Sequence, residues 1–185
     1  MCNIEEQACK AAIKLVNELT ARHCTLALAE SCTAGLVSDL VARVSGASAV
    51  LWGSFVCYSP EAKKRMLGID GAFLEKYGLV SAETAGEMAL DALEQADVDI
   101  GASVTGLAGP LGDGSASPVG TVFVAVACKV NGGATVSVKP FFFLGTRAEI
   151  RMRAAKAVID EVLKTIINED IEKIRNEGEK IRNEE

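Results

Sequence analysis

The stretch Leu26–Val44, "LALAESCTAGLVSDLVARV", decides the fold. A short β-capable run beginning at Cys24 ends abruptly in Glu30, Ser31, Cys32 and Thr33. From Thr33 the apolar residues return at helical spacing, and they stop at Ser45-Gly46. A second β-capable run, "GSFVCYS", occupies 53–59. Strand, helix and strand in this order predict a βαβ unit over 24–59. Such a unit holds its strands parallel, with their carboxyl ends on one edge of the sheet.

The rest of the chain extends that unit. Residues 5–22 carry Ala8, Ala12, Leu15, Val16 and Leu19 between charges, an amphipathic helix. Ser59-Pro60-Glu61 reads as a helix start, with serine as cap and proline in the first turn. A long helix follows over 82–96, and a third strand over 98–106. The Gly/Ser/Pro-rich loop 107–118 is long enough to suspect function. Two strands, 119–130 and 134–144, flank Asn131-Gly132-Gly133, a hairpin signal. A closing helix spans 146–167. Early alternation of strands and helices with a late hairpin predicts an α/β protein. Its architecture is three-layer α/β/α, with a mixed, mainly parallel sheet and a C-terminal helical extension. The domain covers 1–167. A charged tail, 168–185, carries the near-repeat "EKIRNEG" and "EKIRNEE", read as a helical extension or a self-association helix.

Composition narrows the function classes. The chain has 185 residues, 49% hydrophobic and 24% charged, as in an ordinary soluble domain. Its net charge of −6 and lack of a basic patch argue against nucleic acid as a partner. No apolar run reaches the roughly 18 residues of a membrane helix. "MCNIEEQACK" lacks the apolar segment of a secretory signal, so a cytoplasmic location is expected. Six cysteines show no C-x-x-C pairing, and His23 is the single histidine. Free buried thiols are expected at Cys24, Cys57 and Cys128, with no disulfide framework, no metal site and no cofactor.

The sheet edge gathers the chemistry. Glu30-Ser31-Cys32-Thr33, Tyr58-Ser59 and Thr105-Gly106 all fall just past strand ends, and open α/β sheets bind ligands there. Ser31 is either a helix cap, a ligand contact or a nucleophile whose oxyanion the helix-terminal amides could hold. His23 precedes its strand, at the opposite edge, so a Ser-His-Asp triad is not expected. Lysine is the other base, made neutral by burial or by a neighbouring positive end. Lys63 lies in the first turn after Tyr58, on the favoured edge, and is either that base or a surface lysine. Lys64 reads as solvated. Tyr58 either relays a proton and holds the lysine, or is an aromatic at a strand end. Cys32 is the rival nucleophile. Ser48 falls before the second strand, at the far edge. It reaches the site only if its loop folds across or a second subunit supplies it.

Taken in order, "ESCTAG", "SGASA", "CYSPEAK", "YGLVSAETA", "SVTGLAGP" and "PVGTVFVAVA" resemble the CinA C-terminal domain family, the competence-damage-inducible proteins, from about residue 5 to 165. The stand-alone form of that domain looks like a nicotinamide mononucleotide deamidase. The resemblance implies an amidohydrolase that turns nicotinamide mononucleotide and water into nicotinic acid mononucleotide and ammonia, with a Ser/Lys dyad and no metal. It gives Ser31 the nucleophile's role, with Ser48 its rival, Lys63 the base's and Tyr58 a supporting one. Thr105 joins the catalytic group, and Gly106, Ala108 and Gly109 surround the substrate. Glu30, Cys32, Thr33, Gly35 and Ser48 complete the expected substrate contacts, and Arg147 is a candidate phosphate clamp. The expected partners are a small nucleotide substrate and further copies of the chain, as a dimer or larger.

The chain departs from the family pattern at Ala34, Pro60 and Thr146, where the family has glycine, asparagine and aspartate. The loop "GPLGDGSASP" departs from the usual Gly-rich, Lys-bearing one. A non-catalytic nucleotide-binding module is therefore the alternative reading, and a thiol enzyme using Cys32 the third.

Overall fold

Small residues set the spacing between the sheet and one of its helical layers. The computed structural model describes residues 3–114, 117–130 and 132–168. In chain order the elements are α1 (Ile4–Ala21), β1 (Leu26–Glu30), α2 (Leu36–Ala42), β2 (Leu51–Val56) and α3 (Pro60–Ala62). A π-helical turn, Lys63–Leu67, continues α3. Then come α4 (Gly71–Tyr77), α5 (Ala82–Ala96), β3 (Ile100–Gly106), β4 (Thr121–Val130), β5 (Gly133–Phe142) and α6 (Arg147–Asn168). The predicted charged tail, 168–185, lies outside the described residues apart from the backbone end of α6 at Asn168.

The five strands run in the order β2-β1-β3-β4-β5. β1 pairs parallel with β2 and β3, and β3–β4 and β4–β5 pair antiparallel. The sheet is mixed, as the sequence predicts, with parallel pairing confined to the three strands that build the site. The hairpin closes at Val130↔Gly133.

Residue parity assigns the layers. Leu26, Leu28, Ile100, Ala102, Val104, Val122, Val124 and Val126 share one buried cluster with α1, α2 and α6. The alternate residues face the other way: Ala29 packs with Met88 and Ala92, and Ala125 and Ala127 with Ala85, Ala89 and Leu93 of α5. Each fully buried Leu, Ile or Val in these layers contributes about 1.5–3 kcal/mol. α5 lies close against the sheet because Gly101 has no side chain. A Cβ there would stand 2.2 Å from the Ala89 carbonyl oxygen and 2.7 Å from Leu93 Cβ.

From β1 the chain goes to β2 through α2 on one face. From β2 it crosses back to β3 through α5 on the other. β1 and β3 therefore flank a switch point, and their carboxyl ends open a crevice between them.

Candidate active site

The β1 ladder continues one residue past the strand on each side. Ser31 N–H donates to the Val104 carbonyl at 3.0 Å, and Cys57 N–H to the Glu30 carbonyl at 2.8 Å. These bonds fix Ser31 at the crevice. The chain then turns through Cys32–Gly35 before α2 starts at Leu36. This corrects the expected helix start at Thr33. Ala34 (φ 51°) and Gly35 (φ 90°) both adopt left-handed backbone, which no helix continues through.

Glu30 explains how α2 starts without a side-chain cap on Gly35. Its carboxylate, 1% exposed, accepts from Val37 N–H (3.0 Å), Ser38 N–H (2.9 Å) and Ser54 Oγ (3.1 Å). The residue expected to touch substrate serves as the anchor of a helix N-terminus. The amides of Cys32 and Thr33 donate to no backbone carbonyl among the described residues.

Lys63 approaches from the far side of the crevice. Ser59 Oγ caps α3 by accepting from Ala62 N–H, with Pro60 in the first turn, as the sequence predicts. The π-helical turn then points Lys63 inward, and such turns recur at functional sites. Lys63 is only 2% exposed. Its Nζ donates to Ser31 Oγ at 2.9 Å and to the Cys57 carbonyl at 2.9 Å. Among the described residues no carboxylate pairs with it. Burial therefore pulls the ammonium below its usual pKa, while Cys57 and Cys32 oppose the shift weakly. Lys64, by contrast, is half-exposed and pairs with Glu61 at 2.8 Å.

A cavity of about 240 Å³ opens over this pair. Its walls are Ser31, Cys32, Tyr58, Lys63, the Leu79-Val80 segment, Thr105–Gly109, Leu111–Asp113 and Arg147. Ser103 Oγ donates to the Ala85 carbonyl at 2.6 Å, and Thr105 Oγ1 to the Leu79 carbonyl at 2.8 Å, tying α5 and its entry to β3. Thr105 thus holds the Leu79-Val80 wall in place. Arg147 donates from one nitrogen to the Gly109 carbonyl (2.6 Å) and from another to Tyr58 Oη (2.7 Å). It reaches them because Thr146 starts α6 in a reciprocal cap: Thr146 N–H donates to Glu149 Oε2, and Glu149 N–H to Thr146 Oγ1. Threonine, standing where the resemblance expects aspartate, makes this cap here.

The structure brings together Ser31, Cys32, Tyr58, Lys63, Thr105, Gly106, Ala108, Gly109 and Arg147. Glu30, Thr33, Gly35 and Ser48 do not line the cavity. Thr33 is fully buried, and its hydroxyl has no hydrogen-bond partner among the described residues. Ser48 is exposed on a 3-10 turn, Ala47–Ala49, at the amino end of β2. His23 likewise precedes β1, at the edge away from Ser31. Burial pushes the Cys32 thiol up to about 11, against the smaller pull of Lys63 and Arg151. It is almost wholly protonated at neutral pH, so nothing here favours a thiol nucleophile. Cys9, Cys24, Cys57 and Cys128 are free thiols, the last three buried as expected.

Two contributors escape the sequence reading. Asp113 brings a carboxylate to the cavity from the divergent loop. Arg151, one turn beyond Arg147, donates from Nε to the Cys32 carbonyl (3.1 Å) and from an Nη to the Thr33 carbonyl (2.5 Å). The shared face of Arg147 and Arg151, four residues apart on a helix, was the available signal.

Ala34 stores strain at this turn. A residue with a Cβ in left-handed backbone costs about 1–2 kcal/mol, which glycine avoids. Ala34→Gly is expected to raise the melting temperature by about 2–4 °C, read by calorimetry. An unchanged or lower value would show that glycine's own chain entropy cancels the relief.

A family model described as the CinA C-terminal domain matches residues 7–166. A CinA-like protein of Syntrophomonas wolfei is 43% identical over 135 residues, which is 73% of this chain and 32% of that protein. This chain spans about a third of the length of the curated relatives it matches. A CinA superfamily protein of Klebsiella pneumoniae superposes with a TM-score of 0.82 at 25% identity, covering 88% of this chain and 99% of that one. The competence/damage inducible protein CihA of Agrobacterium tumefaciens gives 0.78 at 31% identity, covering 85% and 94%. No helix among the described residues is long and apolar enough to cross a membrane.

Proposed function

The chain belongs to the CinA C-terminal domain family, and on that premise we propose that it is an amidohydrolase in which Ser31 is the nucleophile and Lys63 the base. One observation carries the reading. A buried lysine, without a carboxylate partner among the described residues, lies 2.9 Å from a serine hydroxyl, inside a cavity at the sheet's switch point. An amine kept from its charge by burial has a free lone pair, which is what a serine nucleophile needs. The substrate proposed is nicotinamide mononucleotide, the products nicotinic acid mononucleotide and ammonia.

The steps use this chain's own groups. Neutral Lys63 takes the proton from Ser31 Oγ as Oγ bonds to the carboxamide carbon. The carbonyl oxygen becomes an oxyanion, held by the amide of Cys32, which lines the cavity. Collapse breaks the C–N bond, and the Lys63 ammonium returns its proton to the departing nitrogen, which leaves as ammonia. Water, deprotonated by Lys63, then attacks the ester. The C–O bond to Ser31 breaks, Ser31 regains a proton, and the acid is released. Arg147 gives the cavity mouth a positive charge for the phosphate. It exchanges two neutral acceptors for charged oxygens, whose hydrogen bonds are about twice as strong.

The test is ammonia release from the purified chain supplied with nicotinamide mononucleotide, with and without EDTA. Release that EDTA does not reduce is expected. Nucleotide binding without release would instead favour a non-catalytic nucleotide-binding module.

A further inference from the structure

The charges that line the cavity are few and opposite in sign. Among the described residues its acidic and basic side chains are those of Lys63, Asp113 and Arg147. Burial draws Lys63 towards the neutral amine. The standing charges are then the Arg147 guanidinium and the Asp113 carboxylate. Glu30, next to Ser31 in the chain, does not line the cavity, and its carboxylate is committed to the α2 amides. Asp113 stands on the loop that leaves β3 at Leu107 and returns at Gly120. Leu107 N–H donates to the Thr121 carbonyl (2.8 Å) and Gly120 N–H to the Leu107 carbonyl (2.7 Å), which ties the two ends together. Arg147 holds the loop again at the Gly109 carbonyl, 2.6 Å away. Leu111, Gly112 and Asp113 form an exposed arc along the cavity. Tyr58 lines the same cavity, and an aromatic face attracts cations.

The proposed substrate also carries two opposite charges. Its phosphate is anionic, and its ring, joined to ribose through nitrogen, is a pyridinium cation. Arg147 meets the first. We infer that Asp113 is a specificity-determining residue that meets the second, so that the site selects N-substituted pyridinium carboxamides over neutral carboxamides of the same shape. The inference rests on the nicotinamide mononucleotide reading and narrows its substrate class. The ring keeps its positive charge from bound substrate to tetrahedral intermediate, because attack places the new negative charge on the carboxamide oxygen. Asp113 therefore acts on binding, and its loss enters KM rather than kcat.

The experiment compares Asp113→Asn and Asp113→Glu with the chain that keeps Asp113, all first shown to fold by melting. Binding is read by calorimetry in chains that also carry Ser31→Ala, so that no ligand is consumed. Two ligands isolate the ring charge. Nicotinamide riboside has the cationic ring and no phosphate. Its 1,4-dihydro form has the same ribose and carboxamide on a neutral ring. Asp113→Asn should weaken the riboside by about threefold to fivefold, the scale of an exposed ion pair, and leave the dihydro form unchanged. Asp113→Glu, which keeps the charge, should keep the preference. Salt at about 1 M, where the screening length falls to about 3 Å, should shrink the preference when Asp113 is present. With Ser31 restored, Asp113→Asn should raise KM for nicotinamide mononucleotide by the same factor, with kcat nearly unchanged. Equal losses for the two ribosides would make Asp113 a ribose contact or a brace of the loop and overturn the inference. A loss confined to the phosphate-bearing nucleotide would make it a support for Arg147, and no loss at all would place its charge out of reach of the ring; either result overturns the inference. No ammonia from the unmutated chain, with the riboside preference present and abolished by Asp113→Asn, would sink the reaction and keep the pyridinium subsite.

Discussion

Lys63→Met is expected to abolish ammonia release and to raise the melting temperature at neutral pH. The first effect follows from geometry, because Lys63 is the only amine hydrogen-bonded to Ser31 among the described residues. The second follows from burial. Lys63 is among the largest fully buried side chains, and its folded pKa lies below the 10.5 of the exposed amine. Between those two values the unfolded chain binds more protons than the folded one. Stability therefore rises with pH across that window. Below the folded pKa the penalty is fully present, and above 10.5 it vanishes. Methionine fills a similar volume with no charge. The variant loses two hydrogen bonds, leaving the Cys57 carbonyl without its donor at a cost of about 1–3 kcal/mol. Removing the cost that burial places on this amine, paid either as desolvation of the ion or as loss of its proton, outweighs this. The melting difference between variant and unmutated chain should shrink as the buffer approaches pH 10.5. In the unmutated chain kcat/KM should rise with pH and level off above a pKa lower than a free lysine's. A variant that melts lower at neutral pH would show that the two hydrogen bonds outweigh the desolvation.

Much of this site was legible because strand ends are. The βαβ pattern over 24–59 put Ser31 and Tyr58 on one edge, and the third strand brought Thr105 to it. The serine cap and proline after Tyr58 began a helix, which placed Lys63 on the same edge. The structure added the reason that Lys63 points inward, the π-helical turn, which no spacing in "SPEAKKRML" announces. Glu30 was misplaced because adjacency to Ser31 suggested shared work. Parity says otherwise: Leu26, Leu28 and Glu30 alternate onto the face that α2 covers, and the carboxylate caps that helix. The start of α2 was placed too early because Ala34, Leu36 and Val37 fit helical spacing, although Thr33 and Gly35 are poor helix formers. The left-handed turn at Ala34 and Gly35 is imposed by the ladder bonds behind it and by Arg151, more than a hundred residues away in the chain.

The same turn divides the two serines. Ser31→Ala is expected to lower kcat by about 10⁴-fold or more, the scale on which losing a nucleophile acts. Ser48→Ala should leave it unchanged. Ser31 is 8% exposed and bonded to Lys63, and it opens on the cavity. Ser48 is exposed at the amino end of β2, with the length of the strand between it and the crevice. Truncating Ser31 leaves Lys63 Nζ its bond to the Cys57 carbonyl, so the fold should lose only about 1 kcal/mol, and the kinetic loss can be read without unfolding. Hydroxylamine supplies a second readout. It should divert the acyl-enzyme of the unmutated chain to a hydroxamic acid, because its nitrogen attacks the Ser31 ester in place of water. Ser31→Ala has no hydroxyl to acylate and should form none. Collapse in Ser48→Ala with activity kept in Ser31→Ala would overturn the assignment and require a second copy of the chain to carry Ser48 to Lys63. Collapse in both would mean that two serines act in one site. Loss in Ser31→Ala alone, with hydroxamate formed only by the chain that keeps Ser31, ties the covalent step to the residue where β1 ends.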